Sequence, residues 1–536
     1  MAWPRRRKRP PPSMLDLGEH LARHAVEPRG VIHVGAHEGE ELGSYERLGF
    51  KQVVFVEANR ALFERLRDRL VGRPGITVLH AAVTDHDGEV ELNVTNKDQS
   101  SSILDLGEHA KVYPRITVER REKVPARRLD TLLAENGLSA EDFNVLHLDI
   151  QGAELLALRG GDEALRGIEL VETEINLAEL YRGCALLPEL ERHLADRGFH
   201  RTAMTTPFHP TWGDAIYVRR PAVSMRTLGE NGKLANQVFQ YFALRRHAAR
   251  WGAVVQTPPW EGQALFGLDD PAPVLDYPQH RDEDPDSQGA LLDAPAPPGP
   301  EVDLWGFYQS HTGRLVQDRD LFRRVFTPAP AIRAAAEPLL ERIRARGRTL
   351  VAVHLRRRAY GYGYFFRAPA AWYLPWLEEI WPRLDAPVLY VASDDLATSL
   401  RAFRAYRPMS REDAPGRTDA AGAFLDVQVM AQADALAISN SSFSFIASLL
   451  NERASRFVRP VLPARRLEPF DPWNAPVLLR TELAPGEQDV LDALDPPGAR
   501  PAPARDPERP RSAASRLFRS FREAVIEPVR RRLRGG

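Results

Sequence analysis

The sequence of 536 residues contains a single cysteine, Cys184, which excludes an internal disulfide and a zinc site built from several cysteines. Such scarcity suits a reducing compartment, so we expect a cytoplasmic protein. The formal net charge is only -1, which gives no bulk attraction to nucleic acid or to an anionic membrane. No apolar run approaches the roughly 20 residues that a membrane-spanning helix needs. The basic start is not followed by an apolar stretch, so we do not expect a secretory signal.

Changes in composition along the chain predict two globular domains with polar extensions. The predicted parts are a basic, disordered tail over residues 1–13, a first domain over 14–220, a second domain over 221–480, a proline-rich linker over 481–511 and a basic amphipathic helix over 512–536. Within the second domain, residues 258–300 are rich in proline and aspartate and predict a long loop or a partly disordered insertion. The final helix has apolar residues on one face and arginines on the rest, which predicts peripheral contact with the inner face of a membrane. A helix docked on the body, or a solvated tail, is the alternative, and no oligomeric state is predicted.

The first domain begins with a strand–turn–helix–strand pattern. Residues 31–34 form a short apolar strand, residues 35–39 a glycine turn, residues 41–48 a helix and residues 51–56 a second strand that ends at Glu57. Two strands joined by so short a helix must run parallel. Glycines in the first turn let backbone N–H groups approach a ligand, and an acid about 20 residues further on suits a ribose diol. The pattern favours a nucleoside-binding half-fold, with an unliganded turn and a simple strand-end acid as the alternative.

The rest of the first domain alternates between helix and strand, which predicts a parallel α/β sheet. Asp149 lies at the carboxyl end of a buried strand over residues 144–150, where open α/β sheets place their ligands. It is a candidate base or anchor for an acceptor hydroxyl; alternatively, it caps the helix that starts near Gly152. The polar loop around residues 100–102 is either an acceptor-side loop or a plain connection.

Five stretches of the first domain resemble the FkbM-type methyltransferase family. In family order over roughly residues 30–199, they are residues 33–39, 57–59, 100–102, 148–155 and 174–176. The resemblance implies a Rossmann-like class I methyltransferase domain that uses S-adenosylmethionine to methylate a hydroxyl of a sugar or polyketide. It implies catalysis by Asp149 and cofactor contacts by Gly35, Ala36, His37, Gly39, Glu57, Ala58 and Asn59. This chain has His33 where many methyltransferases carry an aspartate.

Three predicted strands of the second domain end in polar clusters. Residues 349–355 run into three arginines, residues 387–392 into Ser393-Asp394-Asp395, and residues 435–438 into a serine-rich turn at the start of a helix. Adjacent arginines offer forked donors for a diphosphate, and the helix start offers hydroxyls, N–H groups and a favourable dipole. A metal is not needed where arginines neutralise a leaving diphosphate. The set predicts a nucleotide-sugar crevice. Alone, the arginines would be better explained as a solvated basic strand end, and the serine-rich turn as a helix cap.

The second domain resembles glycosyltransferase family 11, the α-1,2-fucosyltransferase type. The resembling stretches are residues 232–241, 306–310, 353–357, 393–395 and 439–444. The resemblance implies a GT-B arrangement of two Rossmann-like halves that transfers fucose from GDP-fucose with inversion and without a required metal. It implies donor contacts by Asn236, His354, Arg356, Arg357, Asp394, Ser441 and Ser442, with the two arginines also assisting catalysis. The family usually continues with Gly-Asp where this chain has Arg358-Ala359.

Together the two resemblances predict a bifunctional, glycan-modifying α/β enzyme. Its acceptor is expected to be a saccharide or glycolipid of a bacterial surface polysaccharide pathway, and no nucleic-acid partner is expected because no basic patch is interleaved with aromatics. Two alternatives stay open for the second domain. It could use another nucleotide sugar, or it could be a non-catalytic glycan-binding module.

Overall fold

The computed structural model describes residues 15–282, 298–358, 360–414 and 422–495. The chain divides into two compact units, Met1–Ser310 and His311–Gly536, and the division falls inside the predicted second domain. The predictions for the N-terminal tail, for Ala359 and for the basic helix over residues 512–536 concern positions outside the described residues. Among the described helices, none is both long enough and apolar enough to cross a membrane.

The first unit contains ten α-helices and fourteen strands in its described part. In chain order they are α1 (Leu17–Arg23), β1 (Gly30–Val34), α2 (Leu42–Leu48), β2 (Gln52–Glu57), α3 (Arg60–Leu70), β3 (Ile76–His80), β4 (Ala82–Val83), β5 (Gly88–Thr95), α4 (His109–Val112), β6 (Val118–Arg127), α5 (Leu129–Glu135), β7 (Val145–Leu148), α6 (Glu154–Arg159), α7 (Asp162–Gly167), β8 (Leu170–Asn176), α8 (Leu187–Ala195), β9 (Phe199–His209), β10 (Trp212–Arg219), β11 (Ala222–Ser224), α9 (Leu234–Trp251), β12 (Val254–Gln256), α10 (Glu261–Phe266), β13 (Gln279–Asp282) and β14 (Asp303–Gly306).

A seven-stranded sheet forms the centre of this unit, in the order β3-β2-β1-β7-β8-β10-β9. Strands β3, β2, β1, β7 and β8 run parallel, and β10 runs antiparallel to β8 and β9. Every residue of β1 is buried because the sheet is covered on both faces. The chain moves from β1 to β2 on one side and reaches β7 on the other, so a crevice opens at the carboxyl end of β1. The predicted parallel α/β sheet is confirmed for these five strands, whereas β9 and β10 add an antiparallel edge.

Two smaller sheets complete the first unit, with strand orders β4-β6-β5 and β12-β11-β14-β13. The prediction of one long loop over residues 258–300 was wrong for part of its length, because α10 and β13 lie within it. Strand β13 pairs in parallel with β14, and this pairing fixes the segment to the sheet.

The second unit is built around a five-stranded sheet. Its described elements are α11 (Arg319–Val325), α12 (Pro330–Arg346), β15 (Thr349–Leu355), α13 (Leu374–Ile380), β16 (Pro387–Ser393), α14 (Leu396–Ala402), α15 (Phe424–Met430), β17 (Ala435–Ala437), α16 (Ser442–Leu450), β18 (Arg456–Val461), β19 (Arg466–Pro469) and α17 (Glu487–Asp492). The strand order is β16-β15-β17-β18-β19, with only β19 antiparallel to its neighbour. The predicted linker begins too early, because Leu491 of α17 is fully buried in the core of this unit.

Candidate functional site

The turn after β1 is held against the turn after β7. Gly35 has φ +88°, and a Cβ on it would lie 1.8 Å from the backbone oxygen of Asp149. Only glycine adopts this conformation at so close an approach without strain. Its N–H donates to the carbonyl of Val56 at 2.9 Å. The predicted glycine turn therefore joins the ends of β1, β2 and β7 at one point.

Glu57 closes this turn from the end of β2. One carboxylate oxygen accepts the N–H of His37 at 2.8 Å, and the other accepts the N–H of Asn59 at 2.7 Å. The side chain is 7% exposed, and burial raises the pKa of Glu57 to about 7, against the opposing effect of the two N–H donors. The carboxylate is thus fixed at the crevice by backbone N–H groups.

The other predicted cofactor residues lie around Glu57 with different tasks. Asn59 caps α3, because its side-chain oxygen accepts the N–H groups of Ala61 and Leu62. The carbonyl of Ala58 is 3.0 Å from Nε2 of His80. Asn59 therefore shapes the crevice from the helix start, whereas Glu57 presents the polar group to it.

Asp149 leaves β7 on the solvent side, and its carboxylate is exposed. Gln151 holds it from the next turn: its Nε2 donates to Asp149 at 2.6 Å and to Glu174 of β8 at 2.6 Å. The alternative role of Asp149 as a helix cap is contradicted, because the N–H groups of Ile150 and Gly152 donate to Glu154 instead. Asp149 is consequently available to a ligand at the carboxyl end of the sheet.

Buried acids surround Asp149. Burial raises the pKa of Glu154 to about 7 and that of Asp214 to about 7, and Asp149 adds to both shifts. Burial, followed by repulsion from Asp149, raises the pKa of Glu174 well above its usual value. These three carboxyl groups are therefore harder to ionise than carboxyl groups in water.

Tyr181 and the polar loop around residues 100–102 hold Gln151 in position. The Tyr181 hydroxyl donates to the side-chain oxygen of Gln151 at 2.7 Å, and Oγ of Ser102 donates to the carbonyl of Gln151 at 2.8 Å. The loop is therefore fastened to the turn after β7. Gln151 and Tyr181 were not predicted as site residues; the position of Gln151 two residues after Asp149 was the only available signal.

His33 takes no part in the crevice. Its ring stacks on His147 of β7 with centroids 4.1 Å apart, and the Tyr45 hydroxyl lies 3.1 Å from Nδ1 of His33 and 2.8 Å from Nδ1 of His147. One hydroxyl proton serves only one ring, so the other ring donates its own proton to the tyrosine oxygen. Burial lowers the pKa of His33 well below its usual value. The histidine that replaces the common aspartate is a neutral core residue.

In the second unit, Asp394 organises the turn after β15. Its carboxylate accepts the N–H groups of Arg357 and Arg358 at 2.7 and 3.0 Å. It also pairs with NH1 of Arg356 at 3.1 Å, while the Arg356 guanidinium lies 5.5 Å from the ring centre of Tyr360. The ends of β15 and β16 are thereby joined, and Arg356 is held partly exposed between them.

Arg357 departs from its predicted role as a diphosphate ligand. NH1 donates to Asp495 at 2.9 Å and to the carbonyl of Ala368 at 3.1 Å. The side chain of Arg357 is only 5% exposed. In this structure its guanidinium therefore binds the segment that follows α17, and Arg356 alone remains as an exposed cation of the predicted pair.

The other predicted donor residues are divided between the units. His354 is buried with Nδ1 2.8 Å from Oγ of Ser439, and burial lowers the pKa of His354 to about 3. Oγ of Ser441 accepts the N–H of Phe443 and so caps α16, whose first residue is Ser442. Asn236 belongs to the first turn of α9 in the first unit. At β15, β16 and β17, strand ends thus bring together one cation, one carboxylate and a helix N-terminus.

Comparison with known proteins extends these observations for the N-terminal half. Residues 33–201 match the family model described as the Methyltransferase FkbM domain. The 2-O-methyltransferase NoeI of Sinorhizobium fredii (strain NBRC 101917 / NGR234) is 26% identical over 184 residues, which are 33% of this chain and 75% of that protein. The chain thus carries an FkbM methyltransferase domain near its N-terminus, which confirms that part of the prediction.

Solved structures show weaker likenesses. The α-1,6-fucosyltransferase NodZ soaked with GDP-fucose is 14% identical, with a TM-score of 0.34 and coverage of 47% of this chain and 99% of that one. The magnesium protoporphyrin IX methyltransferase of Synechocystis PCC 6803 with bound SAM is 11% identical, with a TM-score of 0.22 and coverage of 38% and 76%. Such scores are too low to support an assignment, so fucosyl transfer stays a prediction.

Proposed function

We propose that this protein is a bifunctional glycan-modifying enzyme, which methylates a saccharide hydroxyl from S-adenosylmethionine and transfers fucose from GDP-fucose. The main support for methyl transfer is the position of Glu57 and Asp149, which lie on either side of the glycine turn after β1. Both residues fall within the part of the chain that matches the FkbM domain. One carboxylate is buried and fixed, and the other is exposed. This pairing suits one site for a nucleoside and an adjoining site for an acceptor.

The residues present fit the nucleoside of S-adenosylmethionine. An ionised carboxylate has about four lone-pair sites, and each oxygen of Glu57 uses one for a backbone N–H. The capacity that remains suits the two hydroxyls of a ribose. The positive φ of Gly35 and Gly39 keeps the first turn close to the strand ends, which leaves room for the ligand. When bound, S-adenosylmethionine supplies a methyl group on a positively charged sulfur.

Asp149 is the group that would accept the proton of the acceptor hydroxyl. As the hydroxyl oxygen bonds to the methyl carbon, the carbon–sulfur bond breaks and its electron pair stays on sulfur, so the proton must leave the oxygen. Gln151 restrains Asp149 by the hydrogen bond at 2.6 Å.

Asp149→Asn tests this role. We expect kcat for methyl transfer to fall by about 100-fold or more, because general-base catalysis contributes that much, whereas the Kd of S-adenosylmethionine stays unchanged. The matched control is Asp142→Asn, which alters another exposed aspartate of the same domain. A variant that retains the wild-type kcat would remove Asp149 from the reaction.

For the second domain, the support comes from Arg356 and the start of α16. Arg356 is partly exposed beside Asp394, and the nine-residue helix α16 begins with Ser441 as its cap. A cation and a helix N-terminus are favourable to a diphosphate. We further propose that the Asp394 carboxylate accepts a hydrogen bond from the base or ribose of the donor.

Thermal-shift titration of the full chain with GDP-fucose, GDP-mannose and UDP-sugars tests the donor. A ligand that binds only the folded state raises the melting temperature. We expect a shift with GDP-fucose that disappears in Arg356→Ala and persists in Arg404→Ala, which removes an exposed arginine outside the crevice. A shift with another donor alone would change the sugar, and no shift with any donor would favour the glycan-binding module.

A further inference from the structure

The hairpin formed by β9 and β10 carries an aromatic pair, in which Phe208 is exposed and Trp212 is partly buried. Phe208 and Trp212 stack with ring centroids 5.7 Å apart and planes at 21°, and Phe208 is 57% exposed. Trp212 is held in place, because its Nε1 donates to the Tyr113 hydroxyl at 3.1 Å. Phe208 therefore presents an exposed aromatic ring on a fixed support.

Aromatic contacts connect this pair to the candidate base. Tyr113 lies 5.1 Å from His109, and His109 lies 5.3 Å from Tyr181, measured between ring centroids. Tyr181 then donates to Gln151, the residue that holds Asp149. The hairpin pair and the methyl-transfer site therefore belong to one continuous set of contacts within the first unit.

Asn176 supplies an independent observation next to the pair. It lies directly opposite Trp212 in the antiparallel ladder, so the two side chains share one face of the sheet. Both polar atoms of its amide are buried without a hydrogen-bond partner. An unpaired buried amide is costly, and it offers one acceptor and two donors to an incoming hydroxyl pair.

The same face also restricts the charge of the occupant. Asp214 pairs with Glu174 in the ladder position next to Trp212, and both acids share the face with Asn176. These carboxyl groups supply hydrogen-bonding atoms but no positive charge that would attract a phosphate or another anion. The surface suits a neutral molecule that has an apolar face and a rim of hydroxyls.

We propose that Phe208, Trp212 and Asn176 form the subsite for a neutral sugar ring of the methyl acceptor. The C–H face of the ring packs on the aromatic pair, whose faces carry negative charge density, and its hydroxyls bond to the Asn176 amide. The assignment of this sugar as the methyl acceptor rests on the proposed methyl transfer. The binding itself does not, so the two are tested separately.

Binding is measured by saturation-transfer NMR with a neutral fucosyl trisaccharide as the probe and the full chain saturated with S-adenosylhomocysteine. We expect saturation of the ring protons in the wild type and its loss in Phe208→Ala. Trp251→Ala is the matched control, because Trp251 is 40% exposed on the same unit and lies outside the hairpin. Absence of saturation in the wild type, or saturation in Phe208→Ala equal to that of the wild type, would overturn the subsite.

The second measurement is of methyl-transfer kinetics with S-adenosylmethionine that carries a tritiated methyl group. In Phe208→Ala we expect KM for the trisaccharide to rise about tenfold, as a lost aromatic contact allows, with KM for S-adenosylmethionine unchanged. Asn176→Leu replaces the amide by an apolar group of similar size. If the amide binds sugar, KM rises by a similar factor; if it is only structural, the melting temperature rises and KM stays constant.

The outcomes separate the two proposals. If both variants methylate the trisaccharide with the KM of the wild type, the subsite is overturned, but methyl transfer to a saccharide still stands. Saturation that depends on Phe208, together with no methyl transfer to the trisaccharide, would support sugar binding at the hairpin and remove this sugar as the methyl acceptor.

Discussion

Glu57→Gln removes a buried charge from the proposed nucleoside site while keeping the size of the side chain. The native carboxylate accepts N–H groups from His37 and Asn59, and a ribose diol would add two more hydrogen bonds. Hydrogen bonds to a charged acceptor contribute about 1.5–3 kcal/mol each. We therefore expect S-adenosylmethionine binding to weaken by about 3 kcal/mol, or roughly 100-fold in Kd.

The same group makes binding depend on pH. Burial raises the pKa of Glu57 from 4.5 to about 7. Its folded pKa is above the unfolded value, so its contribution to stability is fully present below pH 4.5 and is lost as the pH rises through 7. The loss is about 3 kcal/mol at 1.36 kcal/mol per pKa unit. A diol that donates to the ionised carboxylate opposes this loss, so binding below pH 7 must release a proton.

Isothermal titration calorimetry in buffers of different ionisation enthalpy measures the Kd of S-adenosylmethionine and the number of protons released on binding, between about pH 6 and pH 8. The wild type should bind more tightly as pH rises and should release protons at the lower pH, whereas Glu57→Gln should show neither effect from this group. Glu64→Gln, on the exposed face of α3, is the control and should match the wild type. A Kd for Glu57→Gln within about threefold of the wild type, with equal proton release, would refute the assignment of Glu57.

Two further predictions concern the stability of the backbone and of a buried ion pair near the sites. Gly35→Ala places a Cβ 1.8 Å from a backbone oxygen and should destabilise the protein by roughly 3 kcal/mol. Gly49→Ala is the control: Gly49 has a similar φ, but no atom lies within 4 Å of its Cβ position, so the melting temperature of this variant should fall much less. Asp495→Ala leaves the buried guanidinium of Arg357 without its carboxylate, which should cost about 3–5 kcal/mol. Asp489→Ala, exposed on α17, is the control, and equal melting temperatures for these two variants would contradict the importance of the buried ion pair.

The first crevice was predictable because its signals are local. The strands that flank Gly35 and the acid at Glu57 lie within about 25 residues, and a short helical crossover fixes their parallel order. The position of Asp149 also followed from a single strand end. The residues that support it through Gln151 did not, since Glu174 lies on β8 and Tyr181 in the loop that follows, and both bond to Gln151.

Other features had no local signal. Strand β6 was not predicted. Its first four residues are exposed, and all of them except Val118 are charged, so this end of the strand shows no alternation of apolar and polar residues. The burial of Arg357 depends on Asp495, which is 138 residues further along the chain. Three consecutive arginines look equivalent in sequence, and only the tertiary partner separates Arg357 from Arg356.

The most direct test of methyl transfer by this chain is mass spectrometry of the fucosyl trisaccharide after incubation with the full chain and S-adenosylmethionine. We predict one added methyl group on a sugar hydroxyl in the wild type and at least about 100-fold less product with Asp149→Asn. Methylation that is equal in Asp149→Asn would contradict the account. So would the absence of any methylated saccharide from a protein shown to bind S-adenosylmethionine, across a panel of neutral oligosaccharides.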